Sequence, residues 1–310
     1  MIGAWNLQVP KKNRKFVFRN TFNKKVKAKY LDPFTGFGFK RLFGEEASKP
    51  LLLDFLNALL PAWDKIVDLS VDNNIQLDRK AIYDIYCENE KGEKFIVELQ
   101  KAKQNYFKER TIYYSTFPIC EQAEKGEWNY NLKAVYCIGI LDFTFDDYET
   151  ELEKNEVVHT IKLKNQHGKT FYDKLTFIYL EMPNFKQTEN QLETRLDKWL
   201  YFIKHLEDFQ SIPSIIADDV FNQAFEKAEL AKFDQTELAS YENSLKIYRD
   251  LKSVIDTAYD EGKLEGKLEG KLEGKQEEKI EIAKSAKLMG MNYEDISKLT
   301  GLSIEAIEKL

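Results

Sequence analysis

Short apolar runs alternate with helical periodicities between residues 31 and 185, a pattern that predicts one α/β domain. The continuous apolar run over residues 134–141 is typical of a strand that is covered on both faces. Further strands are predicted over residues 66–77, 157–163 and 174–181, and helices over residues 54–60, ended by Pro61, and 106–124, ended by Gly126. The last two strands are expected to pair as a hairpin.

The C-terminal part of the chain is predicted to be helical. Residues 186–258 have apolar positions at helical spacing and form a helical extension, and residues 259–279 form a linker that repeats Gly-Lys-Leu-Glu from Gly262 onward. A four-residue period drifts by about 40° per repeat around a helix. Each interior glycine also costs about 1 kcal/mol relative to alanine. We therefore interpret the repeat as a marginal helical linker, with coiled-coil pairing as the alternative.

Residues 280–310 are predicted to form a helical tail that resembles a helix-turn-helix. Gly301 marks the turn, and Ser303 is placed to cap the second helix. The tail has five acidic and four basic residues, a poor balance for a DNA-binding surface. We therefore expect the C-terminal helical region to bind a partner or to form a homo-oligomer.

The net charge of −6 is unevenly distributed along the chain. Residues 11–29 hold nine of the 46 basic residues and no acidic one. The rest of the chain therefore has 37 basic and 52 acidic residues, a net charge of −15. Residues 1–30 are therefore a basic arm, and Phe16, Phe18 and Phe22 interleave with its charges. Such an arm suits a phosphate backbone, and a solvated extension is the equal alternative.

Cysteine usage and hydropathy predict a cytoplasmic location without a membrane partner. Cys87, Cys120 and Cys137 are an odd number at wide spacing, which suggests reduced thiols. The longest apolar run, residues 134–141, is far shorter than the ~20 residues of a membrane span. The first residues lack the charged, apolar and small-residue pattern of a secretory signal.

The most informative segment is a predicted hairpin in which residues 81–87 and 94–101 flank Asn-Glu-Lys-Gly. A three-residue loop that ends with Gly92 in the left-handed conformation pairs Asn89 with Glu93, and the same register sets Asp84 opposite Glu98. One face then holds Ile82, Asp84, Tyr86, Glu88, Lys94, Ile96, Glu98 and Gln100. The other holds Tyr83, Ile85, Cys87, Phe95, Val97 and Leu99 and is the expected core face.

Two carboxylates opposed across adjacent strands indicate a cation site. Their Cβ atoms would be about 5 Å apart, where like charges repel unless a cation or a proton lies between them. Mg²⁺ or Mn²⁺, hard ions that prefer oxygen ligands, suit Asp84 and Glu98 best. Such an ion activates water and stabilises charge on phosphate, which suggests phosphodiester hydrolysis. Acidic pairs on exposed strands are common in a chain that is 32% charged, so a solvated surface is the alternative.

Several segments occur in an order that resembles a known family. They are Tyr30-Leu31-Asp32-Pro33, Phe39-Lys40-Arg41-Leu42-Phe43-Gly44, Asp84, Glu98-Leu99-Gln100, Glu109-Arg110-Thr111-Ile112-Tyr113-Tyr114, Glu127-Trp128-Asn129-Tyr130 and Ile138-Gly139-Ile140-Leu141-Asp142-Phe143. The order resembles the recombination-promoting nucleases, also called PD-(D/E)XK nuclease family transposases. The resemblance implies a restriction-endonuclease-like fold, with a central mixed sheet flanked by helices, for the domain at residues 31–185. It also implies metal-dependent DNA cleavage linked to recombination or mobile elements.

The resemblance also assigns roles to individual residues. Asp84 and Glu98 match the metal-binding carboxylates, and the carbonyl of Leu99 would be a third ligand. Gln100 stands where the superfamily has lysine, and it can orient water but cannot supply positive charge. The candidates for binding DNA or replacing that charge are Lys40, Lys101, Lys103, Lys108 and Arg110, although Lys101 should point to the opposite face of its strand.

Two other functions are compatible with the sequence. The missing lysine and the acidic balance outside the arm favour a catalytically degenerate nuclease fold that binds DNA or a protein partner. An RNase-H-like transposase would instead need a third carboxylate that converges on Asp84 and Glu98, and the order of the hairpin does not suggest one.

Overall fold

The computed structural model describes residues 28–61, 64–71 and 83–310. Six strands are present in these ranges: β1 Leu69–Val71, β2 Ile85–Asn89, β3 Lys94–Gln100, β4 Val135–Leu141, β5 Val158–Lys164 and β6 Thr170–Glu181. They form one mixed sheet in the order β1-β2-β3-β4-β6-β5. β3, β4 and β6 are parallel, and the other neighbours pair antiparallel. Most of the predicted basic arm and residues 72–77 of the predicted strand over 66–77 lie outside the described residues.

Helices cover both faces of the sheet and form the C-terminal region. The α-helices are α1 Gly36–Phe39, α2 Lys49–Leu59, α3 Phe107–Cys120, α4 Glu151–Asn155, α5 Arg195–His205, α6 Asp219–Ala228, α7 Gln235–Leu288, α8 Tyr293–Thr300 and α9 Ile304–Glu308. Lys40–Gly44 forms a π-helical turn, and short 3₁₀ turns are Glu46–Ser48, Met182–Asn184, Glu189–Gln191, Leu206–Asp208, Ser214–Ile216 and Leu230–Lys232. The predicted class, a mixed sheet flanked by helices with a helical C-terminal region, is confirmed.

Two hydrophobic cores lie on opposite faces of the sheet. The larger one joins the sheet to α2, α5, α6 and the start of α7, and its fully buried aromatic residues include Phe43, Phe55, Trp199, Phe202 and Phe221. The smaller one lies between the sheet and α3 and includes Tyr83, Tyr86, Ile96, Phe107 and Tyr179. Because residues after 185 share the larger core, the predicted helical extension packs directly on the sheet.

A polar cluster connects the helices of the larger core. Arg195 pairs with Asp54 on α2, at 2.7 Å, and with Asp218 at the start of α6. The indole Nε1 of Trp199 also donates to Asp54, at 2.7 Å. Asp218 in turn caps α6 by accepting from the backbone of its first turn. These contacts fix α2, α5 and α6 relative to one another.

Helix α3 ends at Cys120, earlier than the predicted end near Gly126. Pro118 lies inside the helix and has no N–H to donate to the carbonyl of Tyr114, four residues before it. The hydroxyl of Tyr83 donates to that carbonyl instead, at 3.0 Å. Tyr83 therefore lies on the α3 side of the sheet, and its predicted place on the face of Ile85 was wrong.

The Gly-Lys-Leu-Glu repeat is helical throughout. It lies within α7, which continues without a break across both predicted boundaries of the linker, between residues 258 and 259 and between residues 279 and 280. The tail packs against the end of α7 through Ala283, Ala286, Ile296, Leu302 and Ile307. The predicted turn and cap of the tail are present, since Gly301 has φ 73° and Ser303 accepts from the backbone of α9. None of the helices within the described ranges has the length and apolar character that crossing a bilayer requires.

Replacement of Trp199 by alanine tests whether the helical extension stabilises the sheet domain. We expect Trp199→Ala to lower the free energy of unfolding by about 3–5 kcal/mol, because it leaves a cavity and removes a hydrogen bond to Asp54. Urea unfolding followed by circular dichroism measures the change. Leu264→Ala, at a position on α7 that is 60% exposed, is the control and should shift stability by less than about 0.5 kcal/mol. Equal stability of the Trp199 variant and wild type would contradict the shared core.

Candidate active site

The candidate site lies at one edge of the sheet. The carboxyl ends of the parallel strands β3, β4 and β6 meet there, so that Gln100, Asp142 and Glu181 lie at neighbouring strand ends. Asp84 immediately precedes β2, which runs antiparallel to β3, and therefore reaches the same edge. Ligands of open α/β sheets bind at this kind of edge.

The predicted register of the hairpin is confirmed. Gly92 has φ 78°, and the N–H of Asn89 donates to the carbonyl of Glu93 at 3.1 Å. Ile85 pairs with Val97, and the ladder ends there, one residue before the predicted Asp84–Glu98 pair. The turn therefore sets the register of the hairpin up to the point where Asp84 and Glu98 approach each other.

The carboxylate of Asp84 replaces a backbone acceptor of the hairpin. Hydrogen-bonded pairs alternate along an antiparallel ladder, so the N–H of Leu99 would be matched with Tyr83. The chain instead bends at Asp84, and Oδ2 of Asp84 accepts from Leu99 N–H at 2.9 Å. The Asp84 carboxylate is thus held at the N–H of Leu99, the residue whose carbonyl the family resemblance implied as a third metal ligand.

The Glu98 side chain is buried beneath α3. The residue is 9% exposed, and Phe107, Tyr114 and Tyr179 are among the neighbours that line its pocket. Burial raises the pKa of the Glu98 carboxyl to about 7; the Arg110 guanidinium opposes this shift, and the Asp84 carboxylate adds to it. The face of the hairpin that carries Glu98 is thus buried beneath α3 at this position rather than exposed to solvent.

Arg110 supplies positive charge beside Glu98. In the described part of the chain the Glu98 carboxylate forms a single ion pair, a long one of 3.9 Å to Nη2 of Arg110. The same Nη2 donates to Oε1 of Gln100, and Nη1 donates to Gln104 at 2.6 Å. Nε2 of Gln100 donates to the carbonyl of Ala102 at 2.7 Å, which fixes the orientation of the amide.

The other predicted cations do not converge on Glu98. Lys101 points to the opposite face, as predicted, and its Nζ lies 5.7 Å from the ring centre of Tyr248 on α7. Burial lowers the pKa of Lys101, and the nearby carboxylates of Asp84 and Asp32 act in the other direction. Lys103 pairs with Asp146 and Lys108 with Asp147, and Lys40 is exposed on the π-helical turn.

Asp142, which is half-buried, and Asp32, which is buried, lie near the site and were missing from the sequence-based candidates. Asp142 follows β4, donates its backbone N–H to the carbonyl of Gln100 and accepts from the hydroxyl of Tyr248 at 2.8 Å. Burial raises the pKa of Asp32 to about 6, and its backbone N–H donates to Tyr241 of α7. An aspartate directly after a buried parallel strand was the available signal for Asp142.

The donor atoms at this edge fit a hard divalent cation in chemical type. Asp84 and Glu98 contribute carboxylate oxygens, and the peptide of Leu99 lies beside them. Within residues 28–61, 64–71 and 83–310, no three histidine, cysteine or acidic side chains are close enough to bind a metal by themselves. A hexacoordinate ion here would therefore depend on the Leu99 carbonyl, on water and on substrate oxygens, as Mg²⁺ commonly does.

Comparison with protein families matches residues 33–258 to the PD-(D/E)XK nuclease family transposases. The matched range includes the whole sheet, the Asp84–Glu98 pair and helices α5 and α6. Comparisons with curated proteins and with solved structures give no match. The family match spans more than half of the chain and agrees with the mixed sheet flanked by helices. The chain therefore belongs to the PD-(D/E)XK nuclease family transposases.

Proposed function

We propose that the protein is a Mg²⁺- or Mn²⁺-dependent DNA endonuclease that hydrolyses phosphodiester bonds at the edge formed by Asp84, Glu98 and Gln100. The observation that supports this most directly is the Glu98 carboxylate, which is buried, close to a second carboxylate and paired with only a distant guanidinium in the described chain. Burying charge in this way is costly without a compensating cation.

Asp84, Glu98 and the carbonyl of Leu99 would hold the ion. When bound, it would polarise the attacked phosphate and lower the pKa of a water ligand. The chain itself contributes rigidity, because Asp84 is fixed by the Leu99 N–H and Glu98 is enclosed beneath α3. Little rearrangement of the two carboxylates would be needed, which favours preorganised catalysis.

Arg110 is the residue we assign to the missing lysine charge. It bonds to Gln100, which stands in the lysine position, and its guanidinium approaches Glu98. Lys103 and Lys108 are instead paired with Asp146 and Asp147. Lys40 forms no ion pair with Glu98 or Asp84 within the described residues. A guanidinium can stabilise charge on a phosphate oxygen through two N–H groups at once. Gln100 is then available to orient water or substrate.

DNA as substrate, a role in recombination or mobile-element transfer, and a cytoplasmic location belong to the same proposal. Family membership supports the first two. The three free cysteines, of which Cys87 and Cys137 are buried, agree with a reducing compartment. Lys40, Lys101, Lys103 and Lys108 remain candidates for contacts with the DNA backbone.

Plasmid nicking tests the metal-ligand assignment. We expect Asp84→Asn and Glu98→Gln to lower the nicking rate in Mg²⁺ by at least about 10²-fold, since each removes an anionic ligand. Ca²⁺ in place of Mg²⁺ should support DNA binding with little cleavage. Glu88→Gln is the matched control, because Glu88 lies on the same hairpin and pairs with Lys94 away from the site.

Equal nicking by wild type and both ligand variants would reject the assignment. Metal-independent DNA or protein binding without turnover by wild type would instead support the degenerate binding module. Gln100 in the lysine position is the observation that favours that alternative.

Single-turnover cleavage separates Arg110 from its neighbours. We expect Arg110→Gln to lower the single-turnover rate by about 10²-fold while the dissociation constant for DNA changes little, because its charge acts mainly in the transition state. Lys108→Gln, on the same helix, is the comparison, because it removes one positive charge that is paired with Asp147 rather than with Glu98. A loss of rate in Lys108→Gln, Lys103→Gln or Lys40→Gln but not in Arg110→Gln would move the role to that lysine.

The pH dependence of stability tests the burial of Glu98 without any cleavage assay. Its carboxyl has an ordinary pKa of 4.5 and a folded-state pKa of about 7, so folding takes up a proton between these values. Without divalent metal, raising the pH from 4.5 to 7 should destabilise wild type relative to Glu98→Gln by up to about 3 kcal/mol. Urea unfolding of both proteins across this range measures the difference. Asp32 titrates in both proteins, so its contribution cancels in the difference between them. Stability curves that run parallel would show that Glu98 is not buried.

A further inference from the structure

Strand β5 forms an open edge of the sheet. It pairs with β6 only, and the carbonyl of Val157 accepts from the N–H of Glu181. Because hydrogen-bonded pairs alternate, the peptide groups of Val158, Thr160 and Lys162 point away from β6. No residue in the described ranges hydrogen bonds to these outward groups.

The backbone of this edge is suited to pairing with another strand. β5 has seven residues and no proline. The irregularity in the β5–β6 ladder belongs to β6, because Lys162 pairs with Thr176 while Leu163 pairs with Tyr172. β5 itself stays regular, so its outward peptide groups form a continuous template for another strand.

An apolar surface continues inward from this edge. Ile161 and Leu163 are 44% and 47% exposed, and they lie on the α3 side of the sheet. They line a groove whose other apolar walls include Ile112 of α3 and Phe145 and Phe177. A strand added at β5 would extend the floor of the groove and cover part of this apolar surface.

The charges along the edge favour a second copy of the same chain. Glu149, Glu153 and Glu156 surround the start of β5, whereas Lys162 and Lys164 lie at its end. Antiparallel pairing of two identical strands sets the acidic end of each against the basic end of the other. Parallel pairing would set like charges together, which is unfavourable.

We propose that two copies of the chain join antiparallel through their β5 strands, about a two-fold axis at Ile161, so that the two six-stranded sheets become continuous. In this register the outward groups of Thr160 and Lys162 are opposed and form hydrogen-bonded pairs. The Ile161 side chains meet across the axis as a close, non-hydrogen-bonded pair, and the two apolar grooves merge. The interface is isologous, as in most homodimers.

Proline at position 160 tests the pairing selectively. The N–H of Thr160 points away from β6, so Thr160→Pro removes a donor from the edge and none from the sheet. Light scattering coupled to gel filtration should give twice the chain mass for wild type and the single chain mass for Thr160→Pro. Thr160→Val keeps the N–H and the shape of the side chain and should remain dimeric. Circular dichroism checks that each variant is folded.

Ile161→Lys is a second variant, at a position exposed enough to tolerate lysine without disturbing the core. It places two like charges at the axis and should also give the single chain mass. Monomeric wild type at ~100 µM, well above the micromolar range of weak specific pairs, would overturn the proposal. Dimeric Thr160→Pro and Ile161→Lys would overturn it too, and would place self-association elsewhere, such as the C-terminal helices.

Discussion

A single hydrogen bond, from the Leu99 N–H to the Asp84 carboxylate, determines the shape of the site edge. It ends the β2–β3 ladder at the Ile85–Val97 pair by replacing the main-chain acceptor of Tyr83 with a side chain. The released residue, Tyr83, turns toward α3 and donates to the carbonyl that Pro118 leaves without an internal partner. One bond thus orients a carboxylate, fixes its distance from the Leu99 peptide and connects the hairpin to the helix that covers Glu98.

Much of the sheet was predictable because its determinants are local. The apolar run at 134–141 gave a fully buried strand, and Gly92 with φ 78° fixed the hairpin register. Helix ends were harder to predict, since α3 stops at Cys120 although the nearest glycine is Gly126. The repeat, predicted as a marginal helical linker, is part of one continuous helix, α7, that passes four glycines. A Cβ added at any of these four, Gly262, Gly266, Gly270 and Gly274, would meet no atom within 4 Å, so packing does not explain them.

The candidate residues of the proposed site could be chosen from the sequence, but their surroundings could not be predicted. Period-two alternation and the family resemblance together selected Asp84 and Glu98 as candidates, whereas the burial of Glu98 depends on α3, a helix that alternation cannot place. On β4 the register sets Gly139 beside Glu98, and both residues line the pocket beneath α3. A Cβ at Gly139 would come within 3.0 Å of the Tyr179 ring. Asp32 and Asp142 were missed because their partners, Tyr241 and Tyr248, are more than 100 residues away.

Because α7 is uninterrupted, the length of the repeat determines where α8 and α9 lie. Between Lys252, beside Asp142, and Ile280, which packs on the tail, the helix spans about 40 Å without covering contacts in the described chain. Insertion or loss of one Gly-Lys-Leu-Glu unit would displace α8 and α9 by about 6 Å and rotate them by about 40° around the helix axis. The number of repeat units therefore sets both the distance of the tail from the sheet and its orientation around the helix axis.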